Sequence, residues 1–164
     1  MYVSFYEMPA TSRVWIYQAN KELADTEINE ISEKLIVFLN NWKRHGDDLK
    51  ASFAIKYNQF VILAVDENMN EVSGCSIDSS VNLFKEFEKK YTVDFTNKLN
   101  ISFKNAENIN VVSMATFQDF VKQGKINSNT IVFNNMVATK QEFEQNWEVI
   151  VANSWHKRFL VSKN

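Results

Sequence analysis

The 164-residue chain holds one cysteine, one proline, three glycines and two histidines. The lone Cys75 excludes an internal disulfide framework and any multi-cysteine zinc site. His45 and His156, even with Asp47 and Asp48, repeat no ligand spacing, so no metal is expected. Scarce glycine and proline leave no low-complexity linker, and any domain boundary must be a short, ordered connection. The longest uninterrupted apolar run, Phe60 to Val65, is six residues, whereas a membrane span needs about 20. The first residues, Met1-Tyr-Val-Ser-Phe-Tyr-Glu, have neither the basic nor the apolar region of a signal peptide. The expectation is a cytoplasmic protein without membrane insertion, a setting in which a lone thiol is comfortable.

What is present is ordinary for a globular chain: 45% apolar and 23% charged residues, enough for a core and too apolar for dominant disorder. Lys and Arg number 18 against 20 Asp and Glu, for a net charge of −2. This balance argues against a dedicated nucleic-acid binder, whose footprint is strongly basic. Residues 1–82 hold 7 basic and 12 acidic side chains and the remainder 11 and 8, an asymmetry too small to name a partner.

The periodicity predicts a strand over Arg13–Asn20, rich in β-branched and aromatic residues. Asp25 reads as an N-cap, with Ile28, Ile31, Leu35, Phe38 and Trp42 forming a helical stripe that Gly46 ends as a left-handed C′ residue. Ser52–Tyr57 and Phe60–Asp66, separated by Asn58-Gln59, read as a hairpin whose second strand is apolar enough to be covered on both faces. A second helix is predicted from about Ser79 to Tyr91, with Ile77, Val81, Phe84, Phe87 and Tyr91 on one side, and a strand over 99–104. The order β-α-β-β-α-β predicts an α+β, ferredoxin-like antiparallel sheet with two helices on one face, spanning residues 10–104. In it the first and third strands are central.

Residues 105–164 read as a small α/β module packed on that domain. Its strands are Ile109–Val112 and Thr130–Phe133, its first helix Ala115–Gln123 with a stop at Gly124, and Thr139-Lys-Gln-Glu142 a capping box opening a helix that ends near Trp147. Both side-chain rows of the first strand are apolar, Trp15 and Tyr17 on one face and Val14 and Ile16 on the other. Two helices cover only one face, so the aromatics of the tail (Trp147, Trp155, Phe159) are expected to cover the other.

The chemistry-bearing stretch is Ser73-Gly-Cys-Ser-Ile-Asp-Ser-Ser80, read as a loop entering the second helix, where free N–H groups and the helix dipole favour anions. Gly74, Ser76, Asp78, Ser79 and Ser80 are the candidate ligand-binding residues, for an anion or a nucleotide. Cys75 is a candidate nucleophile, with His45 and Asp66 as the remaining members of a conceivable relay. The competing reading is plain: Asp78 or a serine caps the helix and Cys75 packs as a small hydrophobe. His45, beside Gly46, is likewise suited to stabilise a helix C-terminus. A nucleophile elbow fails, because Asp78 stands where its last glycine belongs. A Walker loop fails too, since Gly124-Lys125 is followed by Ile126 and preceded by no glycine at the required offset. The strand aromatics Trp15 and Tyr17 are not a base-stacking platform either, since Asn58–Val65 lacks the basic residue and glycine of that signature.

Two resemblances add expectations. At Ser73–Ser80 and at Asn153-Ser-Trp-His-Lys-Arg-Phe159 the chain, from about Arg13 to Leu160, resembles an uncharacterised family of small bacterial proteins often labelled "ABC transporter ATPase". That label implies nucleotide hydrolysis, but no residue here carries the motif for it. Phe117, Val121, Gly124, Ile126, Thr130, Val132 and Phe133 are similar to the helix–Gly–strand portion of GYF-type adaptor modules, which implies protein interaction. The reading as a whole is of a non-catalytic module binding a protein, a peptide or a small ligand without a cofactor; a thiol enzyme using Cys75 is the alternative.

Overall fold

In a computed structural model, residues 1–68 and 72–160 are described. They form a mixed α+β protein with antiparallel sheets and several helices. The chain divides into two compact units: Met1–Thr96 with Ala138–Gln141, and Asn97–Val137 with the residues from Glu142 onward.

The first unit is built on β5 (Phe60–Val65), the central strand of a three-stranded sheet between β1 (Arg13–Gln18) and β4 (Ala51–Lys56). Both pairings are antiparallel; Tyr17 and Ile55 flank Val61, while Trp15 and Phe53 flank Leu63. All six β5 residues are fully buried, as a continuous apolar run predicts for a strand covered on both faces. On one face Tyr17, Val61 and Leu63 meet Ile31 and Leu35 of α1 (Asp25–Asn40) and Phe84, Phe87 and Tyr91 of α2 (Gly74–Tyr91). Tyr17 stacks on Phe84 with ring centroids 3.7 Å apart. On the other face Val14, Phe60, Ile62 and Ala64 are buried as well.

Several boundaries move, each for a local reason. Ala24 is the N-cap of α1, with the Glu27 carboxylate accepting from its N–H at 2.9 Å. α1 ends at Asn40, with Asn41 as C-cap, so Trp42 lies beyond the helix and Gly46 does not cap it. Instead Lys43–Arg44 (β2) and Asp47–Asp48 (β3) pair as a short hairpin. Its two turn residues, His45 (φ 49°) and Gly46 (φ 89°), are both left-handed, the geometry a tight two-residue hairpin needs. The β4–β5 loop spans three residues, because Lys56 pairs with Phe60; Tyr57 and Asn58 take positive φ there. α2 begins at Gly74, five residues before its predicted start, because the first positions of its buried stripe are Ser76 and Ser80.

The four-stranded ferredoxin-like sheet is not what forms. Its expected fourth strand, β6 (Asn100–Asn105), belongs to the second unit, where it pairs antiparallel with β7 (Asn108–Ser113) and β8 (Ile131–Phe133). With β9 (Glu148–Ile150) the order is β7-β6-β8-β9. Ile101, Phe103, Phe117, Ile126, Val132 and Val151 make this unit's core, with Phe117 supplied by α3 (Met114–Lys122). Gly124, at φ 76°, follows the end of α3 as predicted. The tail aromatics find ring partners within this unit. Trp147 packs on Phe133 and Phe143, and Phe159 on Phe117 and Trp155.

Each outer edge strand of the first sheet is engaged at one end by another segment of the chain. Along β4, Tyr2 bridges Ala51 in parallel, with Val3 N–H donating to Ala51 O and Ala51 N–H to Met1 O, both at 3.0 Å. Along β1, Thr139 bridges Arg13 and Val14 N–H donates to Ala138 O at 2.9 Å. Next in the chain, Lys140, at the start of α4 (Lys140–Asn146), is buried, and its ammonium donates to Met8 O at 2.8 Å.

A chain ending at Lys104 retains β1 but loses the strap 138–141 that covers its edge. An unpaired strand edge templates association. The expected outcome is a lower melting temperature and concentration-dependent light scattering relative to the full chain. A dispersed fragment melting at the full-length temperature would show that the strap contributes nothing.

Candidate functional site

The Ser73–Ser80 segment is the opening of α2, not a loop. Ser73 is the N-cap: its Oγ accepts from Ser76 N–H at 3.2 Å. Ser76 is buried; its hydroxyl lies 2.9 Å from that of Ser73 and donates to Lys43 O at 2.8 Å. The Trp42 indole N–H donates to Ser76 O at 2.8 Å. Ser79 Oγ donates to Cys75 O at 3.0 Å and Ser80 Oγ to Ile77 O at 2.7 Å. Tyr17 OH lies 2.9 Å from the Ser80 hydroxyl, and burial pushes the phenol pKa up, partly offset by that bond. Each serine hydroxyl therefore serves the helix itself or the residues beneath it. Gly74 has ordinary helical φ, and a Cβ there would meet no atom within 4 Å, so a close approach does not require its glycine. Asp78 is exposed on the helix and does not cap it.

The three candidate relay residues occupy different settings. Cys75 is exposed in the first turn of α2. His45 is exposed at the tip of the β2–β3 hairpin, which corrects its expected place at a helix C-terminus. Asp66 is buried just after β5; its N–H donates to Lys50 O at 2.9 Å, and its carboxylate accepts from Asn68 N–H at 3.0 Å to close the following turn. No hydrogen bond joins Cys75, His45 and Asp66. Among the described residues, no cluster of three or more His, Cys, Asp or Glu could hold a metal ion. A shallow cleft of about 450 Å³ lies beside the start of α1, lined by Lys21, Glu22, Leu23, Ala24, Asp25, Glu27 and Asn58. It contains none of the candidate site residues read from the sequence.

His156 does find a defined setting, in the second unit. It is buried, its ring stacks on Trp155 at 3.9 Å and lies 5.7 Å from Phe117, and Nδ1 is 2.5 Å from Ser154 Oγ. The same hydroxyl accepts from the His156 N–H at 3.1 Å, so the pair braces the turn opening the 3₁₀ segment Trp155–Leu160. Burial, reinforced by the Arg158 charge, pushes the imidazole pKa down to about 4.

The feature that sequence reasoning passed over is a strand edge. Among the described residues, β7 has β6 on one side and no strand on the other, and no turn, loop or cap backbone hydrogen bond involves residues 108–113. Asn108-Ile-Asn-Val-Val-Ser113 contains neither charge nor proline. Val112 packs on the core, while Ile109 and Val111, on the opposite face beside Lys104 and Ser102 of β6, are half-buried. The opposite edge strand, β9, is three residues long and carries Glu148, paired with Lys104 at 3.0 Å. Long, uncharged edges are the ones that template pairing with another chain. The signal was present as an uncharged β-branched run.

Among the described residues no helix is long and apolar enough to cross a membrane. No protein-family model, curated protein or solved structure matches the chain.

Two outcomes follow. As the protein is acidified, His156 stays neutral when folded but protonates when unfolded. Its contribution is thus complete above pH 6.5 and lost as pH falls from 6.5 towards about 4. The cost is about 3 kcal/mol, to be seen in urea unfolding across that range, and His156→Asn should flatten the slope. Separately, Cys75 should react fully with a thiol reagent in the folded state, because it is exposed. A thiol that reacts only after unfolding would contradict that placement.

Proposed function

We propose that this protein is a polypeptide-binding module whose docking element is the outer edge of β7. The observation that carries this reading is the contrast between edges. β1 and β4 are engaged by the chain's own segments at one end, at Arg13–Val14 and at Ala51, and each carries a basic residue, Arg13 or Lys56. β9 is short and charged, and among the described residues β7 alone is a six-residue edge strand without charge. An extended segment laid along it would gain main-chain hydrogen bonds from the outward N–H and C=O groups, while Ile109 and Val111 contact alternate side chains of the guest. The resemblance of Phe117–Phe133 to GYF-type adaptor modules points in the same direction.

A second reading, a thiol enzyme using Cys75, is favoured by the exposure of that thiol in the first turn of α2. It requires iodoacetamide to label the folded protein faster than a free-thiol peptide; slower labelling removes it.

Hydrogen exchange tests the first reading. In dilute protein the outward amides of β7 should exchange rapidly while β5 stays protected. Short extended peptides of alternating β-branched residues should slow that exchange, and Val111→Lys should abolish the effect by placing a charge on the edge. β7 amides as protected as those of β5 in dilute, peptide-free protein would overturn the reading.

A further inference from the structure

We propose that the segment received by β7 is the β7 strand of a second copy of this chain, joined antiparallel about a two-fold axis through Asn110. This rests on the reading of β7 as a docking edge and names its occupant.

The strand is complementary to itself. With Asn110 opposite Asn110 of the second copy, Ile109 faces Val111 of the second copy and Val111 faces its Ile109, so both β-branched residues of the face opposite the core gain like partners. On the other face the two Asn110 amides meet, and each can donate and accept at once. Residues of equal parity pair in this register, so each side chain keeps the face it has in the single chain.

Charge fits the same register. Glu107, exposed in the β6–β7 turn, falls opposite Ser113 of the second copy. Ser113 is the N-cap of α3, a nine-residue helix with no acidic residue in its first turn. The carboxylate of one copy would thus sit at the positive end of the other's helix, twice by symmetry. Glu107 forms no salt bridge within the chain among the described residues. Two strands joined side by side bury less than a standard interface, so the dimer separates on dilution.

The test uses the full-length chain. Sedimentation equilibrium from low-micromolar to millimolar protein should show the mass rising from that of one chain towards twice that value. In a Cys75→Ser background, Asn110→Cys should oxidise to a linked dimer, because directly opposed strand residues have Cα atoms about 4.5–5.5 Å apart, within disulfide range. Glu107→Cys should not, since its symmetry mate lies about 20 Å along the strand. Val111→Lys should hold the protein monomeric. Glu107→Lys, a change at an exposed turn that leaves the fold intact, should weaken association by at least about threefold.

A protein that stays monomeric throughout, with β7 amides exchanging freely, would overturn the second-copy assignment and leave the docking edge standing. Monomers whose β7 amides are protected would overturn both. A dimer indifferent to Val111→Lys and Glu107→Lys, or Glu107→Cys linking as readily as Asn110→Cys, would place the contact elsewhere and overturn the proposal.

Discussion

The first unit depends on a single strand that has no surface of its own. All six residues of β5 are apolar and fully buried, with a strand on each side. Each such side chain returned to water would cost about 1.5–3 kcal/mol, so whatever packs on β5 is held firmly. On the helical face that requirement fixes α1 and α2 through Ile31, Leu35, Phe84 and Phe87. It also turns β1 and β4 into edges, each of which would expose unpaired backbone groups to other chains. The short pairings of residues 1–3 with Ala51 and of 138–139 with Arg13 and Val14 meet that second problem at one end of each strand. They lie at the two sequence extremes of the unit, so its closure depends on contacts far apart in the chain and is completed late in its length.

The same demand explains the serines at the start of α2. A helix laid over this sheet needs small residues where it approaches the segment after α1, and Ser76 and Ser80 fill those positions. A buried hydroxyl is tolerated only when bonded, and each is: Ser76 to Lys43 O, Ser80 to Ile77 O and Tyr17. The Trp42 indole, freed from α1 by the helix ending two residues earlier, locks onto Ser76 O. A cluster of hydroxyls that resembles a ligand cradle thereby acts as a polar seam between a helix and the strand and turn beneath it.

This separates what was legible in the sequence from what was not. β1, the β4–β5 hairpin and the body of both long helices followed from apolar periodicity, because burial against a sheet imposes that pattern directly. The start of α2 did not, because serines interrupt the apolar stripe, and only the tertiary contacts show them to be buried. The membership of β6 did not, because its partner β7 is reached through Ala106-Glu107, a two-residue turn without glycine in which Ala106 itself adopts φ 56°. Lacking a Gly-based hairpin signal, β6 read as the last strand of the preceding unit. Within the candidate site, the reading of a serine as helix cap holds at Ser73, but the buried bonding roles of Ser76 and Ser80 were not legible. His156, weighed in the sequence only as a metal ligand, is a buried imidazole whose burial pushes its pKa down to about 4.

The second unit solves the edge problem by a different route, and the difference has physical content. Its outer strand could have been engaged as those of the first sheet are, since a few residues of chain suffice to occupy one end of a strand edge. Instead one side ends in the short, ion-paired β9, and the other in a β7 bearing no charge, proline or bulge to discourage a neighbour. Open edges carry a standing risk of misassociation, and a single lysine at Ile109 or Val111 would remove most of it at little cost to a half-buried site. Natural sequences place such gatekeepers readily where nothing is lost by doing so. A strand that forgoes them, when the edge strands β1, β4 and β9 each carry a charge, is best explained by a pairing that the gatekeeper would also prevent.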